Sequence, residues 1–178
     1  MNCHSLEQVH YFALTISLSI AVGSTNAYAE GTTEGHSMNK VTWEENLPVS
    51  VDSAWQVLAD FGGFLNWAAS GSIELEGEGP GMIRRLDMDG APEITAERAD
   101  VIDDDTRTLV YTLVEGNPIG MSSYKAKVQL HATGYNTCNI TWQGEFTAVD
   151  GTDPDQVAAA LKGAYVGMTK ALVAHVAP

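Results

Sequence analysis

Residues 123–148 read SYKAKVQLHATGYNTCNITWQGEFTA, with apolar and polar side chains alternating along both halves of the stretch. Alternation with a period of two residues is typical of β-strands that bury one face. The glycine and asparagine within 134–136 predict a turn between two strands, and therefore an antiparallel hairpin. The buried face of this hairpin is expected to carry Tyr124, Ala126, Val128, Leu130, Cys138, Ile140, Trp142, Gly144 and Phe146.

The segment after the hairpin predicts a long helix. The sequence DPDQ at 153–156 supplies an N-cap, a proline at the first helical position and a glutamine at position N3. The helix is expected to run to about Val176, with an apolar stripe that lies across the inner face of the sheet. The stripe consists of Val157, Leu161, Ala164, Tyr165, Met168 and Leu172.

The segments before the hairpin predict five further strands and two short helices. The strands are expected at 41–47, 72–78, 82–88, 93–103 and 108–115, and the helices at 50–60 and within the aromatic patch at 61–67. Either Ser50 or Asp52 is a suitable N-cap for the first helix. The predicted fold class is α+β, a seven-stranded curved antiparallel sheet wrapped around a long C-terminal helix, with two short helices after the first strand.

The N-terminus predicts export. An apolar run without charges at 11–23 leads into Ala27-Tyr28-Ala29, a cleavage pattern with small residues at its first and third positions. The run is shorter than the roughly 20 residues needed to cross a bilayer, which argues against a stable membrane anchor. The expected organisation is therefore a signal peptide at 1–29, a flexible leader at 30–39 and one ligand-binding domain at 40–178, located in the periplasm or outside the cell.

Composition excludes several kinds of partner. Nine Lys and Arg residues stand against 23 Asp and Glu, a formal net charge of −14, so neither nucleic acid nor an anionic membrane is expected as a partner. Only Cys138 would remain after cleavage, so no intramolecular disulfide is expected. The histidines lack metal-ligand spacing, and GEGPG at 77–81 precedes no helix, so the sequence predicts neither a metal nor another cofactor.

Charged residues interrupt strand faces that otherwise look buried. The expected inner faces carry Met82, Arg84, Leu86 and Met88 on one strand, Thr95, Glu97, Ala99 and Val101 on the next, and Leu109, Tyr111, Leu113 and Glu115 on the one after. Ile94, Ala96 and Ile102 compete for the inner face of the middle strand. A buried charge requires a partner or water, so Arg84 and Glu97 either form a polar cluster beside a cavity, form a purely structural ion pair, or lie exposed. An ordinary filled core remains the alternative to a cavity.

The order and spacing of several motifs resemble the SRPBCC superfamily of START-like proteins. The motifs are SAWQVLADF at 53–61 followed by Trp67, GPGMIRRL at 79–86, Glu97-Arg98, Asp103-Asp104, YTLVEG at 111–116, Tyr124 and the terminal helix. The resemblance is greatest to the polyketide cyclase/dehydrase-like branch, and more distant to the plant abscisic acid receptors. It implies a helix-grip fold with an internal pocket for sterols, lipids, polyketides, hormones or other apolar molecules.

The resemblance also implies pocket residues. Carried over by position, they are Leu86, Met88, Thr95, Glu97, Tyr111, Leu113, Tyr124 and Trp142. The inner faces and the aromatic patch add Trp67, Arg84, Phe146, Leu161, Tyr165 and Met168 as candidate ligand contacts. Residues 90–92 occupy the place of the receptors' gate loop, but the receptors' carboxylate-binding lysine falls at about Ala69 and their latch is replaced at 117–120. Abscisate sensing is therefore not expected.

Three functions are compatible with these residues. The favoured one is binding of a small, mostly apolar molecule in an internal cavity, without catalysis. In the alternative, a cyclase or dehydratase uses Glu97 as general acid or base, with Tyr111 or Tyr124 polarising a carbonyl group. A protein-interaction module is the third, and it would present an exposed apolar patch.

Overall fold

The computed structural model of the protein describes residues 38–177. The predicted signal peptide and residues 30–37 of the predicted leader lie outside the described residues. The elements in chain order are β1 (Asn39–Leu47), α1 (Val51–Ala59), a 3₁₀ helix (Phe61–Asn66), β2 (Gly71–Glu76), β3 (Ile83–Met88), β4 (Thr95–Asp103), β5 (Thr108–Glu115), a 3₁₀ turn (Pro118–Gly120), β6 (Met121–Gly134), β7 (Thr137–Ala148) and α2 (Pro154–Val176). This order confirms the predicted fold class.

The strands form one antiparallel sheet in the order β1-β7-β6-β5-β4-β3-β2. In the β6–β7 hairpin, Tyr124 lies opposite Phe146 and Val128 lies opposite Trp142. All nine residues predicted on the inner face of this hairpin are buried, which confirms the alternation. The core therefore lies between this face of the sheet and α2, which also buries Thr169, a residue outside the predicted stripe.

The helix starts follow from local hydrogen bonds. At α1 the cap is Ser50, whose hydroxyl accepts from the amide of Ser53 at 3.1 Å. At α2 the carboxylate of Asp153 accepts from the amide of Asp155 at 2.9 Å. Both bonds satisfy amide groups that have no partner within the helix, so the capping residues determine where α1 and α2 begin.

A register shift places Val101 on the opposite face from the one predicted. Residues Ala99 and Val101 pair with adjacent residues of β5, so one extra residue is accommodated between them. A bulge of this kind reverses the alternation beyond it. Val101 is consequently 40% exposed on the outer face, and Ile102 packs against the core instead.

A second shift corrects the prediction for Glu115. Leu113 pairs with Glu97 on the inner face, whereas Glu115 pairs with Ala96 on the outer face. The carboxylate of Glu115 lies 3.6 Å from Nε of Arg85. Glu115 is thus a surface residue and does not line up with Leu113.

Candidate functional site

A buried ion pair joins β3 and β4. Arg84 and Glu97 lie directly opposite each other in the antiparallel register. Nε and Nη2 of Arg84 both donate to Oε2 of Glu97, at 2.9 and 2.7 Å. The side chains are only 5% and 12% exposed. Of the arrangements left open by the sequence, the structure contains the pair and excludes exposure to solvent.

Aromatic rings enclose the arginine of this pair. Its guanidinium carbon lies 3.9 Å from the ring centre of Phe61, 4.3 Å from that of Phe64 and 5.5 Å from that of Tyr111. Nη1 also donates to the carbonyl oxygen of Phe61 at 2.9 Å. Cation–π contacts of this kind stabilise a desolvated cation, so the guanidinium is held on three sides.

The 3₁₀ helix positions two of those rings. Its N-cap residue Asp60, which precedes Phe61, accepts from the amide of Gly63 at 3.0 Å through its side chain. This bond fixes the short helix that carries Phe61 and Phe64 against the sheet. Both phenylalanines belong to the aromatic patch at 61–67 but were not among the predicted site residues. The dense aromatic run before a strand with an inward arginine was the signal that could have identified them.

Three tyrosine hydroxyls form a chain next to the ion pair. Tyr111 and Tyr124 have their hydroxyl oxygens 3.5 Å apart, and those of Tyr124 and Tyr165 are 2.9 Å apart. The Tyr165 ring stacks on Trp142 with centres 5.2 Å apart. Trp142 in turn donates to the Thr169 hydroxyl at 3.1 Å. This chain of tyrosine hydroxyls therefore links β5, β6 and α2 through groups that both donate and accept hydrogen bonds.

Burial keeps these hydroxyls protonated. Desolvation raises the pKa of Tyr111 well above 10.0, and the nearby Glu97 carboxylate adds to the effect. Desolvation likewise raises the pKa of Tyr124, with further contributions from Tyr111 and Tyr165. The pKa of Tyr165 is also raised, chiefly by burial. The tyrosines can therefore donate hydrogen bonds to a carbonyl group, but phenolate forms are strongly disfavoured.

We expect the protein to lose stability steeply above pH 10. Below the unfolded-state pKa both states keep the phenol protons. Above it, the unfolded chain releases them while the folded chain retains them, so unfolding becomes more favourable by about 1.4 kcal/mol per pH unit for each buried tyrosine. Urea unfolding between pH 8 and 11 measures this slope.

Matched variants test the origin of the slope. Tyr165→Phe should reduce it, whereas Tyr135→Phe should leave it unchanged because Tyr135 is 95% exposed. Equal slopes for Tyr165→Phe and the unaltered protein would contradict the expectation.

The interior contains a much smaller space than the predicted cavity. Its volume is about 10 Å³, which is room for one water-sized group. The lining residues are Leu58, Asp60, Phe64, Trp67, Arg84, Leu109, Tyr111, Trp142 and Met168. The largest fully buried side chains, Trp142, Tyr165, Phe61 and Phe146, fill the volume between the sheet and α2. The expectation of an open, ligand-sized cavity is therefore wrong for this conformation.

The candidate ligand contacts all lie on the inner side but do not all meet at this space. Those that are buried are Arg84, Leu86, Thr95, Tyr111, Tyr124, Trp142, Phe146, Leu161, Tyr165 and Met168. Those that are partly buried are Trp67, Met88, Glu97 and Leu113. The structure brings together Trp67, Arg84, Tyr111, Trp142 and Met168 around the space. Leu58, Asp60, Phe64 and Leu109 also line it and were not among the candidates.

Two loops meet at the end of the sheet where β4 begins and β5 ends. The amide of Asn117 donates to the carboxylate of Glu93 at 2.7 Å, which joins the loop before β4 to the loop after β5. Ile119 has a φ of 51°, a left-handed conformation that is unfavourable for a β-branched residue. Glu93, which directly follows residues 90–92, is therefore hydrogen-bonded to the segment 117–120.

No metal-binding cluster is found among residues 38–177. Within this range, no group of three or more His, Cys, Asp or Glu side chains could hold a metal ion. The charged groups of the site are the Arg84–Glu97 pair and Asp60. The site can therefore bind polar groups of a molecule by hydrogen bonds from Arg84 and the tyrosine hydroxyls.

Comparisons with known proteins agree with this architecture. Residues 38–177 match the model of a family described as polyketide cyclase/dehydrase and lipid transport. A protein from Bacillus thuringiensis is 25% identical, with a TM-score of 0.67 over 79% of this chain and 100% of that one. Ara h 8.0201 is 26% identical, with a TM-score of 0.67 over 79% and 98% of the two chains. The Zhui aromatase/cyclase from Streptomyces sp. R1128 is 20% identical, with a TM-score of 0.64 over 79% and 94%, a likeness of fold. Among curated proteins, none matches this sequence.

Proposed function

The chain belongs to the polyketide cyclase/dehydrase and lipid transport family, and from this premise we propose that it binds a small, mostly apolar molecule between its sheet and α2. The ligand is a lipid, a polyketide or an aromatic compound. Aromatic side chains hold its apolar body, and the Arg84–Glu97 pair and the tyrosine chain bind its polar groups.

The observation that carries this proposal is the buried polar cluster. An ion pair inside a protein is seldom better for stability than well-packed apolar residues of the same volume. Here Arg84, Glu97 and the hydroxyls of Tyr111, Tyr124 and Tyr165 lie together in a core that is mostly apolar. Such a concentration of polar groups supports recognition of a molecule that itself carries polar atoms.

Binding of the proposed ligand requires the interior to expand. A space of about 10 Å³ receives one small group, whereas small-molecule sites are typically about 300 Å³ or more. The joined loops at Glu93 and Asn117 and the strained Ile119 lie at one end of the sheet, where their separation would open a path to the core. We therefore expect a bound ligand to break the Glu93–Asn117 hydrogen bond.

Identification of a bound molecule tests the proposal. The full chain would be purified from its own host and weighed by native mass spectrometry, then denatured to release any ligand for identification. Recovery of one apolar molecule at a fixed stoichiometry is the expected result, and an unmodified molecule indicates carriage. The proposal is wrong if the protein has only its own mass and no lipid or polyketide raises its melting temperature.

Export is part of the same proposal. The apolar run at 11–23 and the small residues Ala27 and Ala29 support cleavage after Ala29 and release into the periplasm or the medium. N-terminal sequencing of protein from its own host tests this. A mature chain that begins at residue 30 agrees with it, whereas an intact N-terminus in the cytoplasm contradicts it.

A second candidate function is catalysis at Glu97. Nε and Nη2 of Arg84 both donate to Oε2 of this carboxylate, which leaves Oε1 available to take up or deliver a proton. The similarity in fold to an aromatase/cyclase makes a cyclisation or dehydration reaction the relevant class.

Glu97→Gln separates catalysis from binding. If the released ligand proves to be a substrate, the variant should retain binding and lose at least about 100-fold in turnover, the usual contribution of a general acid or base. Unchanged turnover would remove the catalytic role of Glu97.

A further inference from the structure

One residue that lines the internal space carries an unsatisfied hydrogen-bond donor. Trp67 lines the space together with Arg84 and Asp60. Nε1 of Trp67 is buried and has no hydrogen-bond partner among the described residues. An indole N–H only donates, and a buried donor without an acceptor destabilises the fold. A site beside this group is therefore suited to an acceptor atom.

Arg84 supplies further donors to the same space. Three of its N–H groups are used, by Glu97 and by the carbonyl of Phe61. One N–H on each terminal nitrogen remains. The ring contacts with Phe61 and Phe64 fix the plane of the guanidinium, so these remaining donors have a set direction. Two different residues thus offer donors at one place.

The size and charge of the space restrict the acceptor. A volume of about 10 Å³ fits a single oxygen atom and not a branched group. The Arg84 charge is already neutralised by Glu97, and the Asp60 side chain lines the same space. A carboxylate entering here would meet two other carboxylates and only one cation, which disfavours an anion.

We propose that this space receives the neutral carbonyl oxygen of the ligand, which accepts hydrogen bonds from Nε1 of Trp67 and from Arg84. The inference rests on the ligand binding proposed above and narrows its chemical class. The ligands are apolar ketones, quinones, esters or lactones. Carboxylic acids on the same skeleton are rejected.

Three naphthalenes of similar shape test the carbonyl requirement. The full chain is titrated with 1-acetylnaphthalene, 1-ethylnaphthalene and 1-naphthoate, and the indole N–H signals of its 4 tryptophans are followed by NMR. The ketone should bind about tenfold more tightly than the hydrocarbon, the effect of one net hydrogen bond. It should also move the Trp67 signal downfield, and naphthoate should bind more weakly than the ketone.

The indole signal of Trp43 and the variant Trp67→Phe provide the controls. Nε1 of Trp43 is likewise buried without a partner, but Trp43 does not line the space, so its signal should not move downfield. Trp67→Phe keeps a ring and removes one of the two donors, so it should reduce the tenfold preference while hydrocarbon binding persists. Should this variant misfold, the indole shift in the unaltered protein still decides.

The outcomes separate the two proposals. Equal affinities for ketone and hydrocarbon, with an unmoved Trp67 signal, would overturn the carbonyl site and leave ligand binding intact. Tightest binding of naphthoate would overturn the charge argument and with it the proposed ligand class. Failure of all three compounds to bind would count against ligand binding itself.

Discussion

Replacing Glu97 with leucine is expected to lower the free energy of unfolding by about 3–5 kcal/mol. The substitution leaves the Arg84 guanidinium charged and without its carboxylate partner, although Arg84 is only 4% exposed. The aromatic contacts remain, but they do not replace the two hydrogen bonds to the carboxylate. Urea unfolding at neutral pH measures the effect.

Removing both charges should restore most of the lost stability. In the double variant Arg84→Met with Glu97→Leu, no buried charge remains, so the stability should return to within about 1–2 kcal/mol of the original. The remaining deficit reflects the carbonyl of Phe61, which loses its donor. Glu145→Gln, which breaks the exposed pair with Lys40, should change stability little. Additive losses in the double variant would show that the pair is not the source of the effect.

Gly144→Ala is expected to destabilise the protein by about 2–4 kcal/mol through a single methyl group. A Cβ at this position of β7 would overlap the Tyr165 hydroxyl, and would lie 3.0 Å from Leu161 and 3.1 Å from the Tyr124 ring. To relieve the overlap, the tyrosine must withdraw from the sheet and give up its 2.9 Å hydrogen bond to Tyr124. Thermal or urea unfolding gives the magnitude.

A second substitution identifies the cause of that loss. Tyr165→Phe removes the oxygen that the new methyl group meets, so the double variant should be more stable than the sum of the single effects predicts, by about 1–2 kcal/mol. Gly163→Ala makes the same chemical change in α2, where a Cβ meets no atom within 4 Å. It should stabilise the helix by about 0.5–1 kcal/mol. Loss of stability at both glycines would rule out the steric explanation.

Much of the fold was predictable because local patterns determine it. The alternation at 123–148 fixes which side chains of β6 and β7 face α2, and the capping sequence at 153–156 fixes where α2 begins. The reversal at Val101 was not predictable from alternation. A bulge adds one residue to one strand only, and its position depends on how the neighbouring strand pairs.

The site was predictable in its polar members and not in its volume. Arg84 and Glu97 lie on consecutive inward-facing strands, so their contact follows from the hairpin register. The size of the internal space depends on how Trp142, Tyr165 and the ring of Phe61 pack against one another. The periodicity of the sequence does not determine this packing. For the same reason, the unpaired Nε1 of Trp67 becomes visible only in three dimensions.

The tight interior has a consequence for affinity. If only a minor fraction of molecules is expanded enough to admit a guest, the apparent Kd equals the intrinsic Kd divided by that fraction. An open population of about 1% would weaken binding roughly a hundredfold without altering any contact to the guest. Substitutions that loosen the closed form would then strengthen binding while they lower the melting temperature, so affinity and thermal stability would vary in opposite directions across a series of core variants.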